Sequence, residues 1–458
     1  MRIIAILILL LCQAAYAAET VNDVSGMNPI EVARVLAPTE LSQIVAAVRE
    51  HPGPIAIGGA RFSMGGQTAT EQALQLDMRD FDEVLEFSAE RREIRVQAGI
   101  TWREVLEYID PYGLSPQIMQ SYANFTVGGA LSVNAHGRYV GQGPLVLGVR
   151  ALRLVLADGS LVEASPTHNS ELFYGAIGGY GGLGVIVDAT LPLVDNSKLV
   201  RQSQLMPLNE YPAFFANQVR GNPDMVMHNG ILYTDDYDSV RAVSYLRSDA
   251  PLTIEERLVP SERSYGAMRT ALALASSLGG SKVREALVDP LLLKGAPVQW
   301  RNHQASLDVG ELQPISGPGY SYVLQEYFVP EAQLESFVAG MHRVLERHRV
   351  NIANISIRHA KGDPGTLLAW ARGDTFALVL YYRQGVSPSE RAAVARWTGE
   401  LIDLAIAHQG SYYLPYQIHA SREQFLAAYP RAEEFFALKK RIDPSNKFRN
   451  KLWDAYYR

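Results

Sequence analysis

A glycine-rich stretch at residues 55–67, IAIGGARFSMGGQ, constrains the fold of this chain more than any other feature. A short apolar run typical of a strand opens into a loop with two glycine pairs, Gly58–Gly59 and Gly65–Gly66. Arg61 lies between the pairs. Because glycine tolerates positive φ and lets backbone N–H groups approach a ligand closely, the loop is typical of a diphosphate cradle. It matches neither the dinucleotide fingerprint G-x-G-x-x-G nor a Walker loop, and a plain glycine turn is the alternative.

Two further glycine clusters follow, at residues 121–137 (SYANFTVGGALSVNAHG) and 175–187 (GAIGGYGGLGVIV). Three such clusters in one N-terminal region indicate a single long ligand that contains a polyphosphate and is contacted by backbone in several places. Close packing of helix against sheet is the alternative, since glycine serves that purpose as well. Packing alone would account for Gly178–Gly179 and Gly181–Gly182.

Net charge and cysteine content exclude several function classes. The 458 residues carry a formal net charge of −6, so the chain has no basic field to attract nucleic acid. Its single cysteine, Cys12, lies in residues 1–17, which are typical of a signal peptide with a small-x-small cleavage signal ending at Ala17. We therefore expect an exported protein, periplasmic or secreted, without a thiol nucleophile, disulfide or thiolate metal site. An uncleaved N-terminal anchor is the alternative, and no later apolar segment reaches membrane-spanning length.

Local patterns in the first half of the chain predict a mixed α and β region. Helical spacing of apolar residues predicts two helices, and alternation predicts several strands. Thr39 is the expected N-cap of the first helix, and Asp158–Gly159 the expected hairpin turn. The predicted helices are 38–50 and 101–109, and the predicted strands are 74–77, 93–98, a pair within 145–164, and 183–194.

The second half of the chain also mixes strands and helices. Polarity and irregularity rise near residues 195–200, where we place a domain boundary. Residues 262–300 contain a helical stretch broken by Gly279–Gly280, which predicts a lid, a membrane-contacting loop or an ordinary pair of surface helices. The predicted strands here are 322–328 and 376–382, and the predicted helices are 331–348 and 388–408.

The three glycine clusters, in this order and spacing, resemble the FAD-binding domain of the vanillyl-alcohol-oxidase / p-cresol-methylhydroxylase (PCMH) superfamily. The resemblance continues through VQAGITWREV (96–105), VRALRLVLADGSLVEAS (149–165) and ELFYGAIGGYGGLGVI (171–186). TVGGALSVNAHGR (126–138) is most similar to the sugar-oxidising branch of aldonolactone oxidases, alditol oxidases and decaprenylphosphoryl-ribose oxidase. In the middle of the chain only QEYFVP (325–330) resembles this branch.

The resemblance implies an α+β fold in which a PCMH-type FAD-binding domain is formed in two parts. The C-terminal RIDPSNKFRN (441–450) is similar to the family's closing segment, which returns to the flavin domain. A separate α+β substrate domain would be inserted before this return. The implied organisation is a signal peptide at 1–17, an FAD-binding domain at 20–197, a substrate domain at 198–410 and a return segment at 411–458.

The resemblance also implies the cofactor, FAD, and the residues that hold it. The first loop would wrap the diphosphate, the second cluster would line the isoalloxazine and ribityl side, and the third would complete the diphosphate and adenine contacts. These residues are Ile57, Gly58, Gly59, Ala60, Arg61, Phe62, Ser63 and Gln67; then Ser121, Thr126, Gly128, Gly129, Ser132 and His136; and then Gly182, Gly184 and the backbone of Ile186.

One departure from the family predicts how FAD is held. Many members place in the first loop a histidine that bonds covalently to the flavin, whereas this chain has Phe62 between Arg61 and Ser63. Phenylalanine has no nucleophile. His136 is another nitrogen that could attach the flavin, but its counterpart in the similar ribose oxidase does not. We therefore predict non-covalent FAD.

The substrate side of the site is predicted from two segments. The alditol-oxidase branch has an arginine on a strand of the substrate domain, and Arg358 matches it here, with Ser356 on the same face and His359 on the other. Such a charge stabilises the reduced flavin. Where the branch has a Pro-His-Trp-Gly-Lys motif, this chain reads PYQIH (415–419) and lacks the lysine. Tyr416, Gln417 and His419 are the remaining candidates for proton transfer or anion binding, and packing against the flavin is the alternative for each.

These residues together predict an FAD-dependent oxidoreductase that oxidises a hydroxyl group of a sugar, sugar lactone or polyol, with hydride transfer to flavin N5. Oxygen or another acceptor would re-oxidise the flavin. The partner is a small molecule, no metal site is expected, and the oligomeric state is not predicted. The rivals are a flavoenzyme acting on a non-sugar hydroxyl compound or an activated double bond, and a flavin-binding protein without turnover.

Overall fold

A computed structural model describes residues 18–261, 285, 289–311 and 319–457. The predicted signal peptide, residues 1–17, lies outside the described residues. So does most of the stretch 262–300, predicted to be a lid, a membrane-contacting loop or a pair of surface helices, since 262–284 and 286–288 are not described. The described residues form a mixed helix and sheet structure with four sheets. Among them, no helix is both long and apolar enough to cross a membrane.

The first two sheets are small and lie near the N-terminus. Strands β1 and β2 form an antiparallel pair, while β3, β4 and β5 form a parallel sheet in the order β3-β5-β4. The helix Leu41–Glu50 buries Ile44 and Val48 in the same apolar cluster as strand β4. The strands are β1 Glu19–Val21, β2 Ile30–Val32, β3 Arg34–Leu36, β4 Ile55–Gly58 and β5 Leu74–Asp77.

The N-cap of this first helix differs from the sequence prediction. Glu40, not Thr39, is the N-cap, and the helix begins at Leu41. The side chain of Gln43 accepts hydrogen bonds from the backbone N–H groups of Thr39 (2.8 Å) and Glu40 (3.1 Å). The residue that satisfies these donors therefore lies inside the first turn, as in a capping box.

A six-stranded antiparallel sheet follows, in the order β10-β9-β11-β7-β6, with β8 paired to β11. The predicted pair within 145–164 is present as β9 and β10, but residues 145–148 form a 3₁₀ turn before it. Helices Trp102–Ile109, Val127–Ser132 and Ser170–Ala176 connect the strands. The strands are β6 Val84–Ser88, β7 Glu93–Gln97, β8 Leu114–Pro116, β9 Ala151–Val155, β10 Leu161–Ala164 and β11 Val185–Asp195.

Residues after 197 form an eight-stranded antiparallel sheet in the order β15-β12-β14-β13-β17-β18-β16-β19. Further short helices are Tyr211–Phe214, which continues into a π turn over Phe215–Arg220, then Asp289–Leu292 and Arg301–Ala305. The strands are β12 Lys198–Pro207, β13 Met225–Leu232, β14 Ser239–Arg247, β15 Val298–Trp300, β16 Tyr320–Pro330, β17 Ile352–Ala360, β18 Thr375–Gly385 and β19 Ser411–Tyr412.

The two faces of this sheet have different surroundings. Helices Leu334–Arg347 and Pro388–Ala407 cover one face, where Tyr382 of β18 packs edge-on against Trp397, with ring centroids 4.9 Å apart. Side chains alternate along a strand, so Tyr381 and Val379 lie on the opposite face. Both line a cavity there.

The C-terminal segment runs from the large sheet back to the first loop. It contains helices Arg422–Ala428, Ala432–Ile442 and Lys451–Tyr456. Phe448 bridges to Ile55 of β4, and the fully buried Lys439 donates to the carbonyl oxygen of Gly182 and to Asp443, at 2.8 Å each. Residues 441–450 therefore contact the N-terminal sheets directly. The division into domains at 197/198 and 410/411 stays a prediction.

Candidate functional site

A cavity of about 600 Å³ lies where the glycine-rich loops, the open face of the large sheet and residues 413–416 meet. Its volume is within the about 300–1,000 Å³ typical of small-molecule sites. Nearly all the residues predicted to hold the cofactor line it. They are Ile57, Gly59, Ala60, Arg61, Phe62, Ser63, Gln67, Ser121, Thr126, Gly128, Gly129, Ser132, His136, Gly184 and Ile186.

The loop after β4 has the backbone form of an anion-binding nest, but its left-handed residue is not a glycine of the first pair. Arg61 has φ 59° and Gly66 has φ 76°. Among the described residues, none accepts a hydrogen bond from the backbone N–H groups of residues 60–63. The Arg61 guanidinium is held by Asp77 at 3.0 Å. Successive unpaired N–H groups around a left-handed residue form a concavity that suits an anion.

Two predicted glycines serve packing, not the cavity wall. A Cβ at Gly58 would lie 2.9 Å from the amide nitrogen of Gln75, and one at Gly182 would lie 2.5 Å from the indole nitrogen of Trp453. Neither residue lines the cavity, whereas Gly181, with φ 66°, does. Gly58 and Gly182 are therefore closely packed against other side chains, and their part in FAD binding stays a prediction.

Gln67 holds the C-terminal segment in place as well as lining the cavity. Its side-chain nitrogen donates to the carbonyl oxygens of Leu414 (2.7 Å) and Tyr416 (2.6 Å), and its side-chain oxygen accepts from the N–H of Gly65 (2.9 Å). The N–H of Met64 also donates to Pro415, at 2.7 Å. The first loop thus fixes the backbone that carries Tyr416.

A buried carboxylate, Glu326 of β16, lies in the cavity wall between two predicted site residues. Its Oε1 lies 2.6 Å from Nε2 of His136, and the hydroxyl of Tyr416 donates to its Oε2 at 3.3 Å. A carboxylate only accepts, so Nε2 of His136 carries the hydrogen. Burial, followed by the Glu326 carboxylate, raises the pKa of Tyr416 well above its usual value, which keeps the phenol protonated.

Strand β17 presents Asn354, Ser356 and Arg358 to the cavity. The Nε of Arg358 is buried and has no hydrogen-bond partner among the described residues. His359 lies on the other face, where it contacts Glu331 at 2.7 Å. Ser356 and Arg358 therefore lie on one face of the strand and His359 on the other, as predicted. Arg358 contributes a positive charge to the cavity.

Gln417 and His419 do not line the cavity, so the structure lends their predicted catalytic role no support and that role stays a prediction. The amide of Gln417 donates to Gln384 at 2.7 Å, and Nδ1 of His419 lies 2.7 Å from the hydroxyl of Thr398. Strand β19 ends at Tyr412, and the chain turns after it. Residues 415–419 therefore do not continue along the cavity as a strand. Burial lowers the pKa of His419 to about 4.

One group of possible metal ligands lies apart from the cavity. Glu331, His359 and Asp374 have ligand atoms within 4.8 Å of one another. Arg220 forms an ion pair with Glu331, and the hydrogen bonds from His359 and Arg220 lower the pKa of Glu331 to about 2. Arg220 already supplies a positive charge to Glu331, so these residues indicate an ion-pair network. The absence of a metal site stays a prediction.

Comparison with known proteins finds similarity in the first part of the chain. Residues 29–165 match the model of an FAD binding domain. The mitochondrial L-galactono-1,4-lactone dehydrogenase of Brassica oleracea is 30% identical over 195 residues, 42% of this chain and 32% of that protein.

Two further relatives match a similar share of the chain. L-gulonolactone oxidase of Mus musculus is 28% identical over 171 residues, 37% of this chain and 39% of the relative. Cytokinin dehydrogenase 9 of Oryza sativa subsp. japonica is 29% identical over 220 residues, 44% of this chain and 40% of the relative. The chain thus spans only about a third to two fifths of each of these three relatives.

Proposed function

We propose, from the premise that residues 29–165 form an FAD binding domain, that this protein is an FAD-dependent oxidoreductase. We further propose that it oxidises a CH–OH group of a sugar, sugar lactone or polyol. The single observation that carries the proposal is that Arg358 and the Glu326–Tyr416 pair line the same cavity as the glycine-rich loops. The names of the lactone dehydrogenase and lactone oxidase relatives support the substrate class.

The residues present suit FAD. Unpaired backbone N–H groups at residues 60–63 provide a cradle for the diphosphate. The Ser121 hydroxyl is buried without a partner among the described residues, and Ser121 lines the same cavity. FAD when bound supplies a two-electron acceptor for hydride. The chain supplies the fixed positive charge of Arg358, which stabilises negative charge as it develops in the cavity.

An anaerobic substrate panel tests the proposal. Sugars, aldonolactones and polyols are mixed with the FAD-loaded protein, and the loss of flavin absorbance is followed. We expect at least one of them to bleach the flavin, and Arg358→Met to slow bleaching by roughly 100-fold or more, the effect of losing one charge-stabilising group. Arg347→Met is the matched control, since Arg347 pairs with Glu400 on the surface. Bleaching by none of these compounds would contradict the proposal.

A less polar substrate is the second candidate, and the sheet face of the cavity favours it. Ile231, Val379 and Tyr381 line the cavity beside Ser356 and Asn354, so apolar side chains flank the polar ones. Leu307 and Val309 add to this wall. The relatives include cytokinin dehydrogenases as well as lactone-oxidising enzymes. Apolar alcohols and amines in the same panel distinguish the two candidates, because bleaching by these alone would favour the second.

Electron acceptor and location are proposed on separate grounds. We propose that oxygen or another acceptor re-oxidises the flavin. Comparing the rate of re-oxidation in air-saturated buffer with the rate in the presence of an artificial acceptor decides between them.

We also propose export, because residues 1–17 have the pattern of a cleaved signal peptide. The N-terminal sequence of protein recovered from the cell exterior or periplasm tests this. Retention of Met1 in the cytoplasm would contradict it.

A further inference from the structure

Three distant parts of the chain meet at one carboxylate, that of Glu326. His136 comes from the segment after helix Val127–Ser132, Glu326 from strand β16, and Tyr416 from the turn after β19. His136 and Glu326 are 190 residues apart in sequence, and Tyr416 and Glu326 are 90 apart. Glu326 is only 1% exposed. A carboxylate buried to this extent needs partners, because an unpaired buried charge is strongly unfavourable.

Both partners of this carboxylate have defined roles in hydrogen bonding. A carboxylate only accepts, so His136 donates Nε2–H to Oε1 and Tyr416 donates its hydroxyl hydrogen to Oε2. Among the described residues, none donates to the phenol oxygen of Tyr416. Tyr416 lines the cavity, and its phenol oxygen keeps a lone pair that can accept a hydrogen bond. In this geometry the hydroxyl hydrogen of Tyr416 is directed at Glu326, not at an anion in the cavity.

The other polar groups of this part of the cavity are less suited to receive a proton. Nε2 of His136 is engaged with Glu326, and Nδ1 is enclosed by protein, with Trp370 and Tyr413 packed around the ring at 4.8 and 5.9 Å. Arg358 is a cation and donates only. Tyr413 donates its own hydroxyl to the carbonyl oxygen of Val133 at 2.9 Å. Tyr416 is left as the acceptor with a carboxylate directly behind it.

We propose that Tyr416 and Glu326 form a proton relay that deprotonates the substrate hydroxyl, an inference that rests on the proposed function. The substrate O–H bond breaks and its proton passes to the phenol oxygen of Tyr416. The phenol's own O–H bond breaks in the same step, and that proton binds to Oε2 of Glu326. FAD, when bound in the cavity, would accept the hydride of the adjacent C–H bond as the two-electron oxidant, so that the alcohol becomes a carbonyl.

Within this relay, Tyr416 is the catalytic residue and the other groups act through it. Glu326 takes the proton that Tyr416 releases, and His136 holds the carboxylate in position. Gln67 fixes the backbone of Tyr416 through its carbonyl oxygen at 2.6 Å. The relay therefore depends on contacts between the glycine-rich loops, the large sheet and residues 413–416. No single segment of the sequence contains all of these residues.

The test compares Tyr416→Phe, Glu326→Gln and Glu326→Asp with the parent in anaerobic stopped-flow bleaching by a substrate from the panel. Tyr416→Phe and Glu326→Gln should slow bleaching by about 100-fold or more, the contribution of general base catalysis. Glu326→Asp should recover part of the rate. The substrate concentration at half-maximal rate should change little. The solvent deuterium isotope effect of the parent should disappear in Tyr416→Phe.

Two control variants match the chemistry of the relay outside the cavity. Tyr382→Phe removes a buried phenol on the other face of the same sheet, where it contacts Gln417. Glu400→Gln alters a surface carboxylate that contacts His348 at 2.8 Å, a His–Glu pair like that of Glu326. Both should bleach at the parent rate. The FAD content, the visible spectrum and the rate of reduction by dithionite should be the same in all variants, since dithionite needs no substrate proton to be removed.

The possible failures are distinguishable. If no alcohol bleaches the parent protein, the proposed function and the relay are both overturned. If an alcohol bleaches the parent and both Tyr416→Phe and Glu326→Gln at similar rates, the relay alone is overturned. If Glu326→Gln fails to hold FAD, Tyr416→Phe still decides, because it keeps the ring. Loss of FAD from both variants would assign these residues a structural role and overturn the relay.

Discussion

The side-chain amide of Gln67 donates a hydrogen bond of 2.6 Å to the backbone carbonyl oxygen of Tyr416, 349 residues away in the sequence. The same nitrogen donates to Leu414 at 2.7 Å, and the side chain is only 4% exposed. A residue expected to wrap a diphosphate thus also joins the first glycine loop to the C-terminal segment. This contact places Tyr416 against Glu326.

Removing this amide should destabilise the fold. Gln67→Leu leaves two buried carbonyl oxygens without a donor, and each unsatisfied group costs about 1–3 kcal/mol. We expect the free energy of unfolding to fall by roughly 2–4 kcal/mol in urea titrations. The control is Gln204→Leu on the exposed part of β12, where a change within about 0.5 kcal/mol is expected. Equal stabilities of Gln67→Leu and parent would show that this contact does not hold the segment.

A methyl group at Gly59 should disturb both packing and FAD binding. Its Cβ would collide with the hydroxyl of Thr126, which accepts from the N–H of Gly129 at 3.2 Å and so caps helix Val127–Ser132. Overpacking of this kind costs about 1–3 kcal/mol. We expect Gly59→Ala to weaken FAD binding by about tenfold, the equivalent of 1.4 kcal/mol, in fluorescence titrations of the apoprotein.

The matched control for Gly59→Ala is Gly373→Ala. A Cβ at Gly373 meets nothing within 4 Å, and its φ is not positive. FAD affinity and unfolding free energy should therefore match those of the parent. If the two variants bind FAD equally well, Gly59 is not needed for the shape of the cradle.

Local signals in the sequence predicted much of the FAD-binding region. The helical spacing of apolar residues at 101–109 predicted helix Trp102–Ile109, and the predicted Asp158–Gly159 turn joins β9 to β10. These features depend on residues a few positions apart, so a single sequence displays them. The positions in the first loop that line the cavity were instead implied by the resemblance of the glycine clusters to the FAD-binding family.

The part of the site that was missed depends on contacts between distant segments. Glu326 was noted only within QEYFVP, because its partners His136 and Tyr416 are far away in sequence. Arg61, not Gly58 or Gly59, adopts the left-handed backbone, and its ion pair with Asp77 accompanies that conformation. A pattern of residue types does not reveal that a non-glycine residue takes the unusual backbone angle in a glycine-rich loop.

The mode of FAD attachment can be read from acid precipitation of the purified protein. Phe62 stacks on Phe125, with ring centroids 4.3 Å apart, and lines the cavity without a nucleophilic atom. We expect all the yellow colour to remain in the supernatant after denaturation. A yellow pellet would contradict non-covalent binding. In that case His136→Gln identifies the bond, since loss of the pellet colour in this variant would place the attachment at His136.

The stability of the protein in acid should depend on His419. Its ring lies against Thr398, and burial lowers its pKa from 6.5 to about 4 in the folded state. The unfolded chain therefore binds a proton that the folded chain does not, between these two pKa values. The stability associated with neutral His419 is fully present above pH 6.5 and is lost as the pH falls towards 4.

His419→Gln should flatten this pH dependence. Between pH 7 and 4 the parent should lose about 3 kcal/mol of unfolding free energy more than the variant, as measured by urea titration at each pH. His228, whose pKa burial lowers to about 3, contributes equally to both proteins and cancels in the comparison. The control, His168→Gln on the surface, should follow the parent curve.

Because His419 does not line the cavity, the rate of flavin bleaching by substrate should be unchanged in His419→Gln. A decrease of about 100-fold in that rate would support His419 as a catalytic residue.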